Sequence, residues 1–367
     1  FEGGFFDGIS SAGGDIRLEG VGATGGASLV GSGYGANSID SAGGLITIIG
    51  TASDTGAVGV LLSSLVVVGG SGDVSIDGVS PAGIGVLFEN GASVSTTTGA
   101  IGLYGTGADF GLDIADGALD TDSGDITLDG TATAATAIAG VRVTGPGLVT
   151  NGGDITVTGT SAGGVGVQLG DGTAFAIGSG GGAITIDGTG IDAGVLMQGN
   201  QVASGGGAVS ITGSGGDLGV SLDGSDIDSA GGDIDIEGTA SAVGGTGIDL
   251  AGARLLAGSG RVDIFGSAAT GTGVRFDGAS GIATTTGDIS LTGIGQEVGL
   301  ALDGGELTTD SGHIDLRGRG MGAESAGLVI GNGVNIVTDG GGIELSGEGG
   351  NGAGHDVDTV ADDQACR

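Results

Sequence analysis

Gly124-Asp125-Ile126-Thr127-Leu128-Asp129-Gly130 decides how this chain folds. Two aliphatic residues alternate with polar ones between bracketing glycines, the period-2 pattern of a β-strand with one buried face. Outward from this stretch, the unit Gly-x-(Ile/Val/Leu)-x-(Ile/Leu/Val)-x-Gly occurs thirteen times. Its first aliphatic falls at Ile16, Ile46, Val74, Ile101, Ile126, Ile155, Ile184, Val209, Ile234, Val262, Ile289, Ile314 and Ile343, about 27 residues apart on average. Two weaker strand signals follow each unit. One is Gly-aliphatic-x-aliphatic, as in Gly140-Val141-Arg142-Val143, Gly166-Val167-Gln168-Leu169, Gly247-Ile248-Asp249-Leu250 and Gly273-Val274-Arg275-Phe276. The other is a short aliphatic site before a polar Ser/Thr/Asp-Gly turn, with Leu119, Ile227 and Leu307 as examples.

Three short strands per period, repeated at once with no helical crossover, exclude hairpin domains and covered parallel sheets. The chain must coil, each strand pairing in parallel with its counterpart one period later at roughly 4.8 Å. The fold class expected is all-β: a right-handed parallel β-helix (solenoid) of about 13 triangular rungs of about 27 residues. Ile126 and Leu128 point inward and Thr127 outward, while Ile155 and Val157 stack on Ile184 and Ile186. The solenoid domain is expected to span 1–347, with 348–367 an acidic Gly-rich tail or linker. Glycine at the corners answers a need for positive φ or close backbone approach.

Composition agrees once the period is seen. The chain has 94 Gly in 367 residues and 38% hydrophobic residues, and without a period such a mixture would read as disorder. Acidic residues number 44 against eight basic ones, all Arg, for a net charge of -36. Nucleic-acid binding, which needs a basic face, is excluded as an expectation. The most apolar stretch, 56–70, is too short for a membrane helix and falls on two consecutive strands, so no membrane insertion is expected. Cys366 is the single cysteine, so no intrachain disulfide framework exists. No signal peptide opens the chain, which we read as processing or truncation. Phe5-Phe6-Asp7-Gly8-Ile9 aligns with Arg275-Phe276-Asp277-Gly278-Ala279, so the register runs in at Phe1 without a cap. Neighbouring solenoid segments or identical subunits are therefore the expected partners, through the ends.

The outward position of the main strand reads Thr127, Thr156, Thr185, Ser210, Asp235, Asp263, Ser290, Asp315, Glu344. Stacked carboxylates repel unless a cation bridges them, so Asp235, Asp263, Asp315 and Glu344 are the candidate metal ligands, for Ca²⁺. A solvated acidic face is the ordinary alternative, and no other cofactor is expected. Gly244-Gly245-Thr246-Gly247-Ile248-Asp249-Leu250 matches most of a calcium-binding nonapeptide, but it occurs once and already serves as a second strand. The Thr127, Thr156, Thr185 ladder reflects β-propensity more than an ice-binding or saccharide-binding array, since only Thr156 has a same-face threonine, Thr158. His313 takes the turn position held elsewhere by Asp125, Asp154 and Asp288, and His355 lies in the tail. Neither has a Cys or His partner for a metal site or a nucleophilic triad, so no catalytic residues are assigned and the chain is expected not to be an enzyme.

The phrase Gly124-Asp125-Ile126-Thr127-Leu128-Asp129-Gly130-Thr131-Ala132, with its GVxL companion, resembles the haemagglutinin-like solenoid repeats of large bacterial exoproteins, over residues 5 to about 347. That resemblance implies export by two-partner or autotransporter routes and an extracellular, bacterial cell-surface location. It departs in lacking an Asn-Pro-Asn-Gly motif, since neither Pro81 nor Pro146 follows Asn. The function expected is a structural rod segment of a secreted bacterial adhesin or surface filament. The alternatives are an extracellular filament subunit stacking head to tail, and a solenoid that binds host or cell-surface glycans or cleaves a polysaccharide.

Overall fold

The computed structural model describes residues 8–31, 37–172 and 175–350. These are all-β, parallel strands stacked as a β-solenoid of about 12 turns, with no helix among the described residues. The chain divides into two compact units, Phe1–Ile191 and Asp192–Arg367.

In the first unit the main strands include Val74–Ser80, Ile101–Gly107, Ile126–Ala132, Ile155–Ser161 and Ile184–Thr189. They pair in parallel at equal repeat positions: Ile126 stands opposite Ile155 and Leu128 opposite Val157, and these meet Ile184 and Ile186 in turn. Second strands such as Phe110–Ile114 and Ala139–Val143, and third strands such as Gly117–Thr121 and Gly147–Thr150, form their own ladders. In the second unit the main strands are Val209–Gly215, Ile234–Ala240, Val262–Ala268, Ile289–Gly295, Ile314–Gly320 and Ile343–Glu348. Here two turns run their second and third strands together, as Thr272–Thr284 and Val298–Thr309.

Alternation puts the aliphatics inside, where stacking removes them from water and supplies the main driving force. Ile126, Leu128, Val141, Val143 and Leu119 are fully buried in the first unit, as are Ile227, Ile248, Leu250 and Leu307 in the second. The apolar 56–70 stretch forms two consecutive strands, Val58–Ser63 and Val66–Gly70.

One feature differs from the sequence expectation. The main strand does not bend at its closing glycine but continues two residues further, to Ala132 in the turn of Gly130. A Cβ on Gly130 would lie 2.3 Å from the Gly140 carbonyl oxygen, and one on Gly140 would lie 2.4 Å from the Thr160 nitrogen of the following turn. In the second unit a Cβ on Gly238 would meet the Gly247 carbonyl oxygen at 2.2 Å. Two glycine columns thus meet backbone to backbone inside the coil, and glycine is required there by contact, not by φ.

Polar residues at the corners either close their own turn, as the hydroxyls do, or bind it to the next, as the aspartates do. Ser41, fully buried, donates from Oγ to the Gly44 carbonyl at 2.6 Å, and Thr284 does the same to Gly287 at 2.6 Å. The aspartate before the main strand accepts a backbone N–H from the following turn: Asp125 from Asp154 at 2.8 Å and Asp288 from His313 at 2.7 Å. A buried donor or acceptor left unpaired is costly, so these columns satisfy backbone groups where the chain turns.

Phe5, Phe6 and Asp7 of the N-terminal alignment lie outside the described residues, as do His355, Cys366 and all of 351–367. The last described strand, Ile343–Glu348, takes in one residue of the expected tail.

Candidate functional site

The carboxylates singled out by sequence do share a column. In the second unit Ser210, Asp235, Asp263, Ser290, Asp315 and Glu344 stand opposite one another in succession. Ser290 splits the four acids into two pairs, and each pair has its own arginine.

Arg261 serves the first pair. Its Nη2 lies 2.8 Å from Asp235 Oδ1, its Nη1 3.4 Å from Asp263 Oδ2, and its Nε 3.3 Å from Asp233 Oδ2. The Asp233 carboxylate also accepts the Arg261 backbone N–H at 2.9 Å. Partial burial raises the Asp235 carboxyl above its ordinary value, Arg261 pulls it down, and Asp263 and Asp233 push it up again. The same carboxylates, Asp235 foremost, hold the Arg261 guanidinium above its usual value, so it stays charged. An open groove beside this cluster is lined by Ser210, Thr212, Asp235, Glu237, Asp263 and Phe265.

In the second pair Arg317 reaches its own strand's Asp315 through Nε at 3.0 Å and Nη2 at 2.8 Å. Glu344 lies farther off, 4.0 Å from Arg317 and 3.9 Å from His313 Nε2. The charge that offsets the stacked carboxylates is thus a fixed guanidinium. Among the described residues no three or more His, Cys, Asp or Glu side chains group in a way that could hold a metal ion.

The nonapeptide-like segment folds as expected for a second strand, Thr246–Ala251. Its Asp249 is engaged by the facing Arg275, with Nε to Oδ1 at 2.8 Å and Nη2 to Oδ2 at 2.6 Å. The hydrogen bond to Asp249 raises the Arg275 guanidinium further.

An equivalent pair in the first unit was not foreseen. Asp113, its side chain only 4% exposed, faces Arg142 one turn on. The contacts are Nε to Oδ1 at 2.8 Å and Nη2 to Oδ2 at 2.6 Å, and the guanidinium carbon sits 4.2 Å from the Phe110 ring centroid. Counting one period forward from Asp113 would have placed Arg142 opposite it.

On the first unit's main face, Thr127, Thr156 and Thr185 stack as read from sequence. The strand's continuation past glycine adds a second column, Thr106, Thr131, Thr160 and Thr189. Between the two columns run Asp77, Tyr104, Asp129, Thr158 and Asp187. Tyr104 stands out as an aromatic residue 42% exposed.

No family model matches this chain, and no curated protein or solved structure matches it either.

Proposed function

We propose that the chain is a structural rod segment, a stiff spacer within a secreted bacterial surface protein such as an adhesin. The observation that carries this reading is the continuity of cross-turn pairing in each unit. All three strand ladders continue at equal repeat positions, and no insertion opens a cleft between described turns. Among the described pairings, register shifts fall on the third-strand side, at Ser95/Thr96, Leu256/Gly258 and Gly278/Gly281. A solenoid in which each turn leans only on its neighbours suits spacing better than it suits closing around a substrate. The acidic surface keeps such segments apart from one another in solution. The likeness of the repeat to haemagglutinin-type exoproteins supports an extracellular setting.

Electron microscopy of the purified protein in its full cellular length tests the reading. Extended single chains ending in a distinct tip are the expected result. Filaments built of repeating short subunits would overturn it in favour of head-to-tail assembly, and robust hydrolysis of a polysaccharide by this chain would overturn it in favour of an enzyme.

A further inference from the structure

Tyr104 occupies the centre of the first unit's main face under unusual conditions. Residue 102, two places before it and on the same face, is glycine. A Cβ there would lie 2.9 Å from Tyr104 Cε2, 2.9 Å from Oη and 3.2 Å from Cζ. These contacts, two ring carbons and the phenolic oxygen, put the hydroxyl end of the ring over the backbone of residue 102, in the notch that the missing side chain leaves. The ring is therefore backed by the sheet on one side, and 42% of the residue meets water.

Its surroundings are polar and uncommitted. Asp77 stands opposite it in the preceding turn and Asp129 in the following one, both exposed. Parallel strand spacing puts these two backbone positions about 9.6 Å apart, with the ring between them. Ser75 and Thr127 flank Gly102 on one side, and Val79, Thr106 and Thr131 lie on the other. Neither Asp77 nor Asp129 has an ion pair or side-chain hydrogen bond among the described residues, whereas two of the acids near the equivalent aromatic of the second unit, Phe265, namely Asp235 and Asp263, are held by Arg261, and only Glu237 opposite it is not.

A part-exposed aromatic ring resting on the sheet, with free carboxylates on both sides and hydroxyls near by, matches one ligand chemistry well. A pyranose presents an apolar face of C–H bonds to an aromatic ring's electron-rich face and hydroxyl donors around its rim. Carboxylates take those hydroxyl protons in charge-assisted bonds. The same carboxylates, on a chain of net charge -36, repel uronates and sulfated sugars. We propose that the Tyr104 patch binds neutral pyranose chains, the ring stacking on one sugar while Asp77 and Asp129 accept hydrogen bonds from it and its neighbours. This goes beyond the spacer reading by giving the segment a ligand of its own, and that reading stands whether or not sugar binds.

The test uses the whole chain. It contains two tyrosines and no tryptophan, so Tyr34→Phe leaves Tyr104 as the only tyrosine and a direct fluorescence reporter. Cellohexaose, chitohexaose and maltohexaose are titrated separately, with dextran sulfate as the charged control. At least one neutral hexasaccharide should change the emission saturably, with a Kd in the millimolar range or tighter, and dextran sulfate should not. By calorimetry Tyr104→Ala should weaken binding about tenfold, the scale of one aromatic contact, and Tyr104→Phe should change it little. Gly102→Val, which puts a branched side chain where the ring lies, should match the Tyr104→Ala loss. No saturable binding of any of the three sugars overturns the proposal. So does unchanged affinity in Tyr104→Ala or Gly102→Val variants whose circular dichroism and melting match the parent.

Discussion

The Asp113–Arg142 pair makes the sharpest claim about what holds neighbouring turns together. It replaces, in mid-column, a run of aliphatics: Leu61 and Leu87 precede Asp113 at the same outward position of the second strand. Asp113 is 4% exposed and Arg142 29% exposed in their side chains. Arg142→Leu therefore leaves a carboxylate almost out of water with its bidentate partner gone. We expect a loss of about 3 kcal/mol, at the low end for a broken buried pair because one side of this pair is open to solvent. Asp113→Leu leaves a guanidinium that can turn to water while keeping its Phe110 contact, so about 1.5 kcal/mol is expected. The double variant extends the leucine column by two turns and should lie within about 1 kcal/mol of the parent. The two single losses then exceed the double loss by about 3.5 kcal/mol or more.

A global melt is a poor readout, because turns that touch only their neighbours open locally. Native-state hydrogen exchange of the amides in Phe110–Ile114 and Ala139–Val143 reports the pair directly. The exposed Arg17–Glu19 pair, with side chains 58% and 55% exposed, is the control and should contribute under about 1 kcal/mol. Either of two results refutes the reasoning: a double variant as damaged as Arg142→Leu, or an Arg142→Leu loss no larger than that of the Arg17–Glu19 control.

Four further outcomes follow from the same geometry. Gly50→Ala, whose Cβ would lie 1.8 Å from the Gly59 carbonyl oxygen, should lose about 3 kcal/mol or more in local exchange, whereas Gly102→Ala meets only the Tyr104 ring and should lose under about 1. Ser41→Ala removes a fully buried donor and should lower stability by about 1–2 kcal/mol in the exchange of amides around Gly44. Because the folded Asp235 carboxyl holds its proton more tightly than the unfolded one, its ionised form costs stability above the folded pKa; the melting temperature of Asp235→Asn relative to the parent should therefore rise as pH climbs from about 3 towards neutrality. Since Arg261 already occupies Asp235 and Asp263, CaCl₂ should raise the melting temperature no more than MgCl₂ at equal concentration, and a calcium-specific rise that Asp263→Asn abolishes would place the ion on that column.

How much of this was legible in the sequence depends on whether a residue's partner lies within its own repeat or in another. Ile126 and Leu128 announce a strand by alternation alone, and the column of Asp235, Asp263, Asp315 and Glu344 follows from repeat position. The role of Arg261 among those acids did not stand out, because it sits at the pre-strand position most often held by aspartate and reaches sideways from it. Gly130 reads as a corner in any single repeat, since its reason for being glycine is the approach of Gly140 from the next strand. Ser41 looks like an ordinary polar turn residue, and its burial depends on the turn stacked against it. Asp113 and Arg142 each look like exposed strand charges until the period sets them face to face.

Inner and outer columns therefore carry different kinds of information. An inward aliphatic is interchangeable with the one a period away, as Ile155 and Ile184 are, so the core specifies a turn's shape but says little about which turn it is. Outward positions vary from turn to turn: Gly102, Thr127 and Thr156 succeed one another in one column, and Tyr104, Asp129 and Thr158 in the next. An outward substitution leaves the ladders intact, so these positions are free to acquire charge pairs or an exposed ring at little cost to the fold. A ligand-specific feature can therefore be written in those columns and not in the inner ones, and Tyr104, an aromatic 42% exposed with Asp77 and Asp129 on either side of it in its column, is such a departure in the first unit.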